Sequence, residues 1–437
     1  MQNLEKYAES CALASLFVVF LVVTSNIPVV GFAASDSSEP VFQKGMSYRP
    51  APYTSFNYST PESDESLRRM AEDNVEWVAI ITWWFQENLT STQIYPHYDF
   101  TPTKESLKHA IETAHGLGMK VMLKPMIDTE DARNEPRWMI PATAKWLESY
   151  TAFITRQAQL ANETGAEQLC VGCEFKYTES SAAGWRQIVA EVKKYYSGRL
   201  TYAATTDSYR DITWWDSLDY VGIDAYFSLT NKTDQTLEEL KNAWSSTVND
   251  IQTWHDSKVK QPILFTEIGY RSGDGTNMEP WNWTAPLKLD LQEQFDCYLA
   301  AFEVLRGKPW FYGFYWWIWE SNPNAGGLND TDFTPQNKPV EYLIRSWYSM
   351  EWRVDPYYEL KQTYTSLLAN YSSLNEAFNV LQGEYKSLLE QYNSLKGLYE
   401  IQRNFLYAFI LATILSSGTA ILFLRKYKKV LAKGKQT

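Results

Sequence analysis

The chain has 437 residues, 45% of them hydrophobic and 15% aromatic, and carries 40 basic against 52 acidic side chains for a formal net charge of −12. That length and apolar content exclude a disordered chain and leave room for one large domain with appendages. The acidic balance argues against a nucleic-acid partner or an anionic-lipid partner for the body.

The charge is uneven. From Arg403 onward there are seven basic residues and no acidic one, a pattern suited to a membrane-adjacent tail. Eighteen Trp and 29 Tyr exceed what a core ordinarily needs. The surplus suits rings that stack on something flat, such as sugars, although a large barrel core could also absorb it. Of the four cysteines, Cys11 lies in an apolar leader, and the remaining three, Cys170, Cys173 and Cys297, give no disulfide framework. Cys170 and Cys173 have CxxC spacing, but on a strand residues three apart face opposite sides. With four histidines and no second CxxC pair, neither a metal site nor a cofactor is expected.

In chain order, residues 12–33 (ALASLFVVFLVVTSNIPVVGFA) are an apolar run followed by the polar SDSSEP. Residues 1–34 therefore read as a secretory signal cleaved after Ala33, with Gly31 and Ala33 at the small-residue positions. Lys6 is offset by Glu5 and Glu9, so an uncleaved signal anchor stays open.

The body, residues 42–350, alternates strand-like and helix-like segments. The strand candidates are 44–48 (KGMSY), 77–84 (WVAIITWW), 119–127 (MKVMLKPMI), 167–174 (EQLCVGCE), 200–206 (LTYAATT), 219–226 (DYVGIDAY), 262–268 (PILFTEI) and 311–319 (FYGFYWWIW). Helical patterns lie between most of them, two of which end in Gly. Eight alternations, with no glycine-rich dinucleotide loop after the first strand, point to an α/β fold of the (β/α)8 TIM-barrel type over an open doubly wound sheet.

Beyond the body, Leu360, Leu367, Leu374, Leu381, Leu388 and Leu395 recur every seven residues, with Tyr or Phe four later in each repeat. This predicts a coiled-coil stalk over 357–403, through which copies of the chain would associate as a homo-oligomer of open order, or else one amphipathic helix folded back on the body. Residues 405–424 contain no charge and are long enough for a transmembrane helix. RKYKK opens the basic tail, 425–437, and predicts a cytoplasmic C-terminus with the body outside. Seven N-x-S/T sequons, all before the span, agree with export.

If the strand count holds, Glu174 ends the fourth strand and Glu267 the seventh, and both face the open end of the barrel. A single strand-end glutamate could equally cap a helix or pair with a neighbour such as Arg271. Two of them in an exported, aromatic-rich barrel suggest the two carboxylates of a retaining glycosidase, one to attack the anomeric carbon and one to protonate the leaving oxygen. Asp224 and Tyr226 end the sixth strand, where a carboxylate could bind sugar hydroxyls and a phenol could orient a nucleophile. Trp317 and Trp319 end the eighth, with Trp317 preferred to Trp316 because it shares parity with Trp319. Trp83 and Trp84 on the second strand and Lys124 on the third complete the candidate substrate-binding set. Alternation along a strand sends about half of such aromatics to the helix layer.

GIDAYFSL (222–229), PILFTEIGYRS (262–272), PW (280–281) and GFYWWIW (313–319) resemble the corresponding segments of glycoside hydrolase family 113, a clan A family of TIM barrels known for β-mannanases. The resemblance spans roughly residues 42–350. It implies that Glu267 is the nucleophile and Glu174 the acid/base of a double displacement on β-linked mannan-like polysaccharide or glycan. Clan A enzymes commonly carry Asn before the acid/base, whereas this chain has Cys173, a departure that bears on the contact to the sugar 2-OH. Two further readings share these residues: a barrel without catalysis that binds carbohydrate or serves as a surface structure, and a transglycosylase.

Overall fold

The computed structural model describes residues 42–352, together with 373, 377–384, 386–387, 414–415, 417 and 419–426. Strands β1 (Gln43–Arg49), β2 (Trp77–Gln86), β3 (Lys120–Thr129), β4 (Gln168–Cys173), β5 (Arg199–Thr205), β6 (Val221–Asp224), β7 (Ile263–Ile268) and β8 (Phe311–Glu320) pair in parallel, in chain order, and close into a barrel. Each strand begins and ends within two residues of its sequence-based segment. The strands are legible because most are short apolar or β-branched runs bounded by turn residues.

Helices Pro61–Glu72, Lys104–Gly116, Ala144–Thr164, Ala182–Val192, Leu237–Lys258, Leu291–Leu305 and Pro339–Tyr348 wrap the barrel. Between β5 and β6 the connection holds a single 3-10 turn, Trp215–Ser217, in place of an α-helix. The first three helices and Leu237–Lys258 start on a threonine: Thr60, Thr103, Thr143 and Thr236 each accept a backbone N–H from three residues on. A threonine cap satisfies a donor that the helix cannot, and its replacement by Ala typically costs about 1 kcal/mol. These caps fix where each helix leaves the loop above the barrel, and hence where the next strand begins.

Alternation divides the side chains into two layers. On β2, Trp77, Ala79, Ile81 and Trp83 point into the barrel, while Val78 and Ile80 pack under the helices. Trp84 follows the second set and meets Phe153 of the helix Ala144–Thr164, with ring centroids 5.2 Å apart. It therefore belongs to the helix layer and not to a substrate surface.

Bulges reset this parity at several places, three of which bear on the site candidates. On β4, the register slips between Cys170 and Cys173, so both thiols lie inside the barrel instead of on opposite faces. Both are free and buried. On β7, Ile223 pairs with Phe265 but Asp224 with Glu267, which turns Glu267 inward directly after the inward Thr266. On β8, Met46 pairs with Trp316 and Tyr48 with Trp319, two steps on one strand against three on the other. The extra residue separates Trp317 from Trp319 in facing. Trp319 is fully buried outside the barrel, its indole N–H donating to Ser66 Oγ of the helix Pro61–Glu72 at 2.9 Å. Shared parity is thus overturned for this pair, and Trp319 is a packing residue.

Residues 356–437 form a second unit, helical over 377–384. Most of the heptad stretch 357–403 and of the apolar span 405–424, and all of the leader 1–34, lie outside the described residues. Among the described residues no helix is long and apolar enough to cross a membrane.

Candidate active site

At the C-terminal end of the strands lies a cavity of about 1960 Å³. Single-ligand pockets are usually about 300–1,000 Å³, so this one has room for a chain of sugar units. Glu174, Glu267, Asp224, Tyr226, Trp83 and Trp317 all line it.

Glu267 is buried on β7 and has both oxygens engaged. Lys124 Nζ on β3 donates to Oε1 at 2.5 Å, and the Tyr226 hydroxyl, just past β6, donates to Oε2 at 2.8 Å. Lys124 is itself fully buried and also reaches Asp224 Oδ1 and the Thr266 carbonyl, each at 3.3 Å. Thr266 Oγ1 donates to the same Asp224 oxygen at 2.7 Å. Burial alone would push the Lys124 pKa down, but the charges of Asp224 and Glu267 outweigh it and hold the ammonium well above its ordinary value. Burial and the Asp224 charge push Glu267 up, while Lys124 and Tyr226 oppose them. Tyr226 is raised well above the usual phenol range by burial and by the carboxylate beside it, so it stays a donor.

Glu174 stands across the cavity, one residue beyond β4, in the left-handed region at φ 59°. A non-glycine residue pays for that conformation, and the surroundings enforce it here. Its N–H donates to the Ala203 carbonyl at 2.8 Å, and the next N–H, of Phe175, donates to the Tyr202 hydroxyl at 2.9 Å. Tyr202 in turn donates to the buried Glu179 at 2.8 Å. Burial, then the charges of Asp224 and Glu267, push the Glu174 carboxyl up to about 8, against the opposing charges of Arg137 and Lys124. One carboxyl is gripped by two donors and the other is held largely protonated at neutral pH. Both carboxyls are pushed up by burial, and they differ in their partners.

Of the sequence-based candidates, the structure brings seven to this end of the barrel and turns Trp84 and Trp319 away. Composition also missed residues that line it. Arg137 and Asp128, from the loop after β3 and the end of β3, flank Glu174. Trp138, Trp281 and Trp283 line the outer wall, each about half exposed. The sequence signal available for these was the clustering of Trp in segments between strands. Gly269 has a clear reason: a Cβ there would lie 2.4 Å from the Trp317 carbonyl, so the chain after Glu267 can pass β8 only as glycine.

Cys173, Asp224 and Glu267 place ligand atoms within 4.8 Å of one another. Lys124 already supplies that cluster's positive charge. Asp274, Asp290 and Glu293 form a second such group, in which Glu293 accepts from the Gly275 and Asn277 backbone and the Asn277 amide and so braces the loop after β7.

The family model for Glycoside Hydrolase Family 113 matches residues 46–338. The chain belongs to this family. Among solved structures, the family 113 β-mannanase AaManA from Alicyclobacillus acidocaldarius, in complex with ManMIm, is 26% identical with a TM-score of 0.64, over 71% of this chain and 98% of that one. A family 113 β-1,4-mannanase is 27% identical at a TM-score of 0.64, covering 71% and 99%. A complex structure of a family 113 β-1,4-mannanase is 25% identical at 0.62, with the same coverage. No curated protein matches the chain. Family 113 membership makes the body a glycosidase domain.

Proposed function

We propose that this family 113 glycosidase cleaves β-linked mannan-like polysaccharide with net retention, using Glu267 as nucleophile and Glu174 as acid/base. The β-mannanase neighbours support the substrate class, and one observation carries the mechanism: the two carboxyls line one cavity with different partners, Glu267 accepting from Lys124 and Tyr226 while Glu174 has Arg137 at ion-pair distance and is pushed up to about 8. Glu267 attacks the anomeric carbon, and the glycosidic C–O bond breaks as the Glu174 proton passes to the leaving oxygen. The sugar is then an ester of Glu267. Glu174, now ionised, takes a proton from water as that water displaces Glu267, which restores both residues. Lys124 and Tyr226 hold the nucleophile's oxygens in place, and Trp83 and Trp317 offer ring faces to the sugars.

The same reading anchors the enzyme at the cell surface, with the body outside. It rests on the uncharged 405–424 stretch, the basic RKYKK after it and the seven sequons before it.

The test is a panel of β-mannans, β-glucans and aryl β-glycosides given to the full chain, with the first-formed anomer read by NMR. The reading predicts β-mannan cleavage with the β anomer appearing first, and loss of activity in Glu267→Ala. Initial release of the α anomer would overturn it. Fractionation of cells expressing the full chain tests the anchor, which predicts recovery with membranes and protease access to the body from outside.

A further inference from the structure

The geometry points to Arg137, gripped by Asp128, as a positioning residue that holds Glu174 and balances the negative charge Glu174 acquires during the reaction. This rests on reading Glu174 as the acid/base.

Arg137 opens the 3-10 turn Arg137–Met139, in the loop after β3. Its Nε and Nη2 donate to Asp128 Oδ1 and Oδ2 at 2.8 and 3.0 Å, a forked pair that fixes the guanidinium plane. The loop is pinned from below, because Thr129 Oγ1 donates to the Glu135 carbonyl at 2.5 Å. The third nitrogen, Nη1, is left facing the barrel. It lies 3.7 Å from Glu174 Oε2 and 3.5 Å from Cys173 Sγ. The side chains of Arg137, Asp128 and Glu174 are 13%, 15% and 20% exposed, so solvent screens this charge weakly. Among the described residues Arg137 is the cation in salt-bridge range of Glu174; Lys124 is committed to Asp224 and Glu267.

Cys173 sharpens the point. An amide before Glu174 would supply its own N–H in this corner, whereas a buried thiol is a weak donor. Cys173 Sγ points instead at Asp224 Oδ2, 3.4 Å away. The strong cation of the corner is therefore Arg137, whose Nη1 donates to Cys173 Sγ and stands in ion-pair range of Glu174. It does nothing for a protonated Glu174 that a neutral group could not do. Once the proton has gone to the leaving oxygen and Glu267 has become an ester, the new carboxylate still faces Asp224, and Arg137 is its nearest opposing charge.

The experiment compares wild type, Arg137→Gln and Arg137→Lys as full chains. Removing the guanidinium disfavours ionised Glu174, so the acid form persists to higher pH. The alkaline limb of kcat/KM on unactivated β-mannan should move up by about one pH unit in Arg137→Gln. In the same variant, kcat at neutral pH on an activated aryl β-mannoside, which leaves without acid help, should fall several-fold because the base form is scarcer. Arg137→Lys keeps the charge and should stay near wild type in the limb. A limb that does not move in Arg137→Gln, or one that moves alike in both variants, overturns the inference. If Arg137→Gln fails to fold because Asp128 is left unpaired, Arg137→Gln with Asp128→Asn carries the same test. Carbon-13 carboxyl NMR, with Glu174 assigned by its loss in Glu174→Gln, reads the same shift without turnover. It separates the outcomes: inactivity of wild type on every β-mannoside sinks the proposed function, while an unmoved Glu174 titration sinks the role of Arg137.

Discussion

The hydroxyl of Tyr226 donates to Oε2 of Glu267 at 2.8 Å, on the oxygen that Lys124 leaves free. A carboxylate held from two sides cannot rotate, so under the proposed mechanism its attacking lone pair is aimed before substrate arrives. Tyr226→Phe keeps the ring and removes that hold. A hydrogen bond to a charged group is worth about 1.5–3 kcal/mol, so kcat on β-mannan should fall about 10- to 100-fold, with KM changing little. Steady-state kinetics on the variant check this; a KM effect without a kcat effect would place Tyr226 in substrate binding instead.

Lys124 is the shared counter-charge of two buried carboxylates. Lys124→Met leaves Asp224 and Glu267 facing each other with no cation, and breaking a buried pair in this way costs about 3–5 kcal/mol. Thermal unfolding should show a large loss. The double variant Lys124→Met with Asp224→Asn should regain much of the stability and none of the activity.

The site also sets a pH window. With Glu174 pushed to about 8, the acid form exists below that pH, and the alkaline limb of kcat/KM should fall there. The folded pKa lies above the ordinary value of 4.5, so between 4.5 and about 8 the folded chain binds the proton and the unfolded chain does not. Stability from this residue therefore falls as pH rises through that window. Glu174→Gln should raise the melting temperature more at pH 8 than at pH 4, which calorimetry at the two values measures.

Adjacent tryptophans on β2 give a contrast within one dipeptide. Trp83→Ala removes a ring from the cavity wall and should raise KM for manno-oligosaccharides about tenfold or more, roughly 1.4 kcal/mol. Trp84→Ala removes a ring packed on Phe153 and should cost up to about 3 kcal/mol of stability with KM intact. Binding and unfolding measurements on both variants decide it.

The barrel was readable because buried parallel strands and capped helices leave local signatures, and each of the eight strands fell within two residues of its sequence segment. Glu174 and Glu267 were readable because each stands at the end of such a segment. What alternation could not reveal were the bulges. Cys173, Glu267 and Trp319 each face the way they do because one extra residue resets the pleat, and an extra residue has no compositional mark. Arg137 and Asp128 were hidden for another reason. Their pairing with each other and with Glu174 joins a loop to two strand ends, a tertiary relation with no periodicity to betray it. The stalk and membrane span rest on heptads and hydropathy alone.

In the proposed mechanism Glu267 forms a covalent bond to the sugar. A 2-deoxy-2-fluoro-β-mannoside with a good leaving group, incubated with the full chain, should stop turnover and add one fluorosugar mass to the peptide containing Glu267. Glu267→Ala should take up no label. Labelling of another residue, or continued hydrolysis of β-mannan without any labelled intermediate, would rule out Glu267 as the nucleophile.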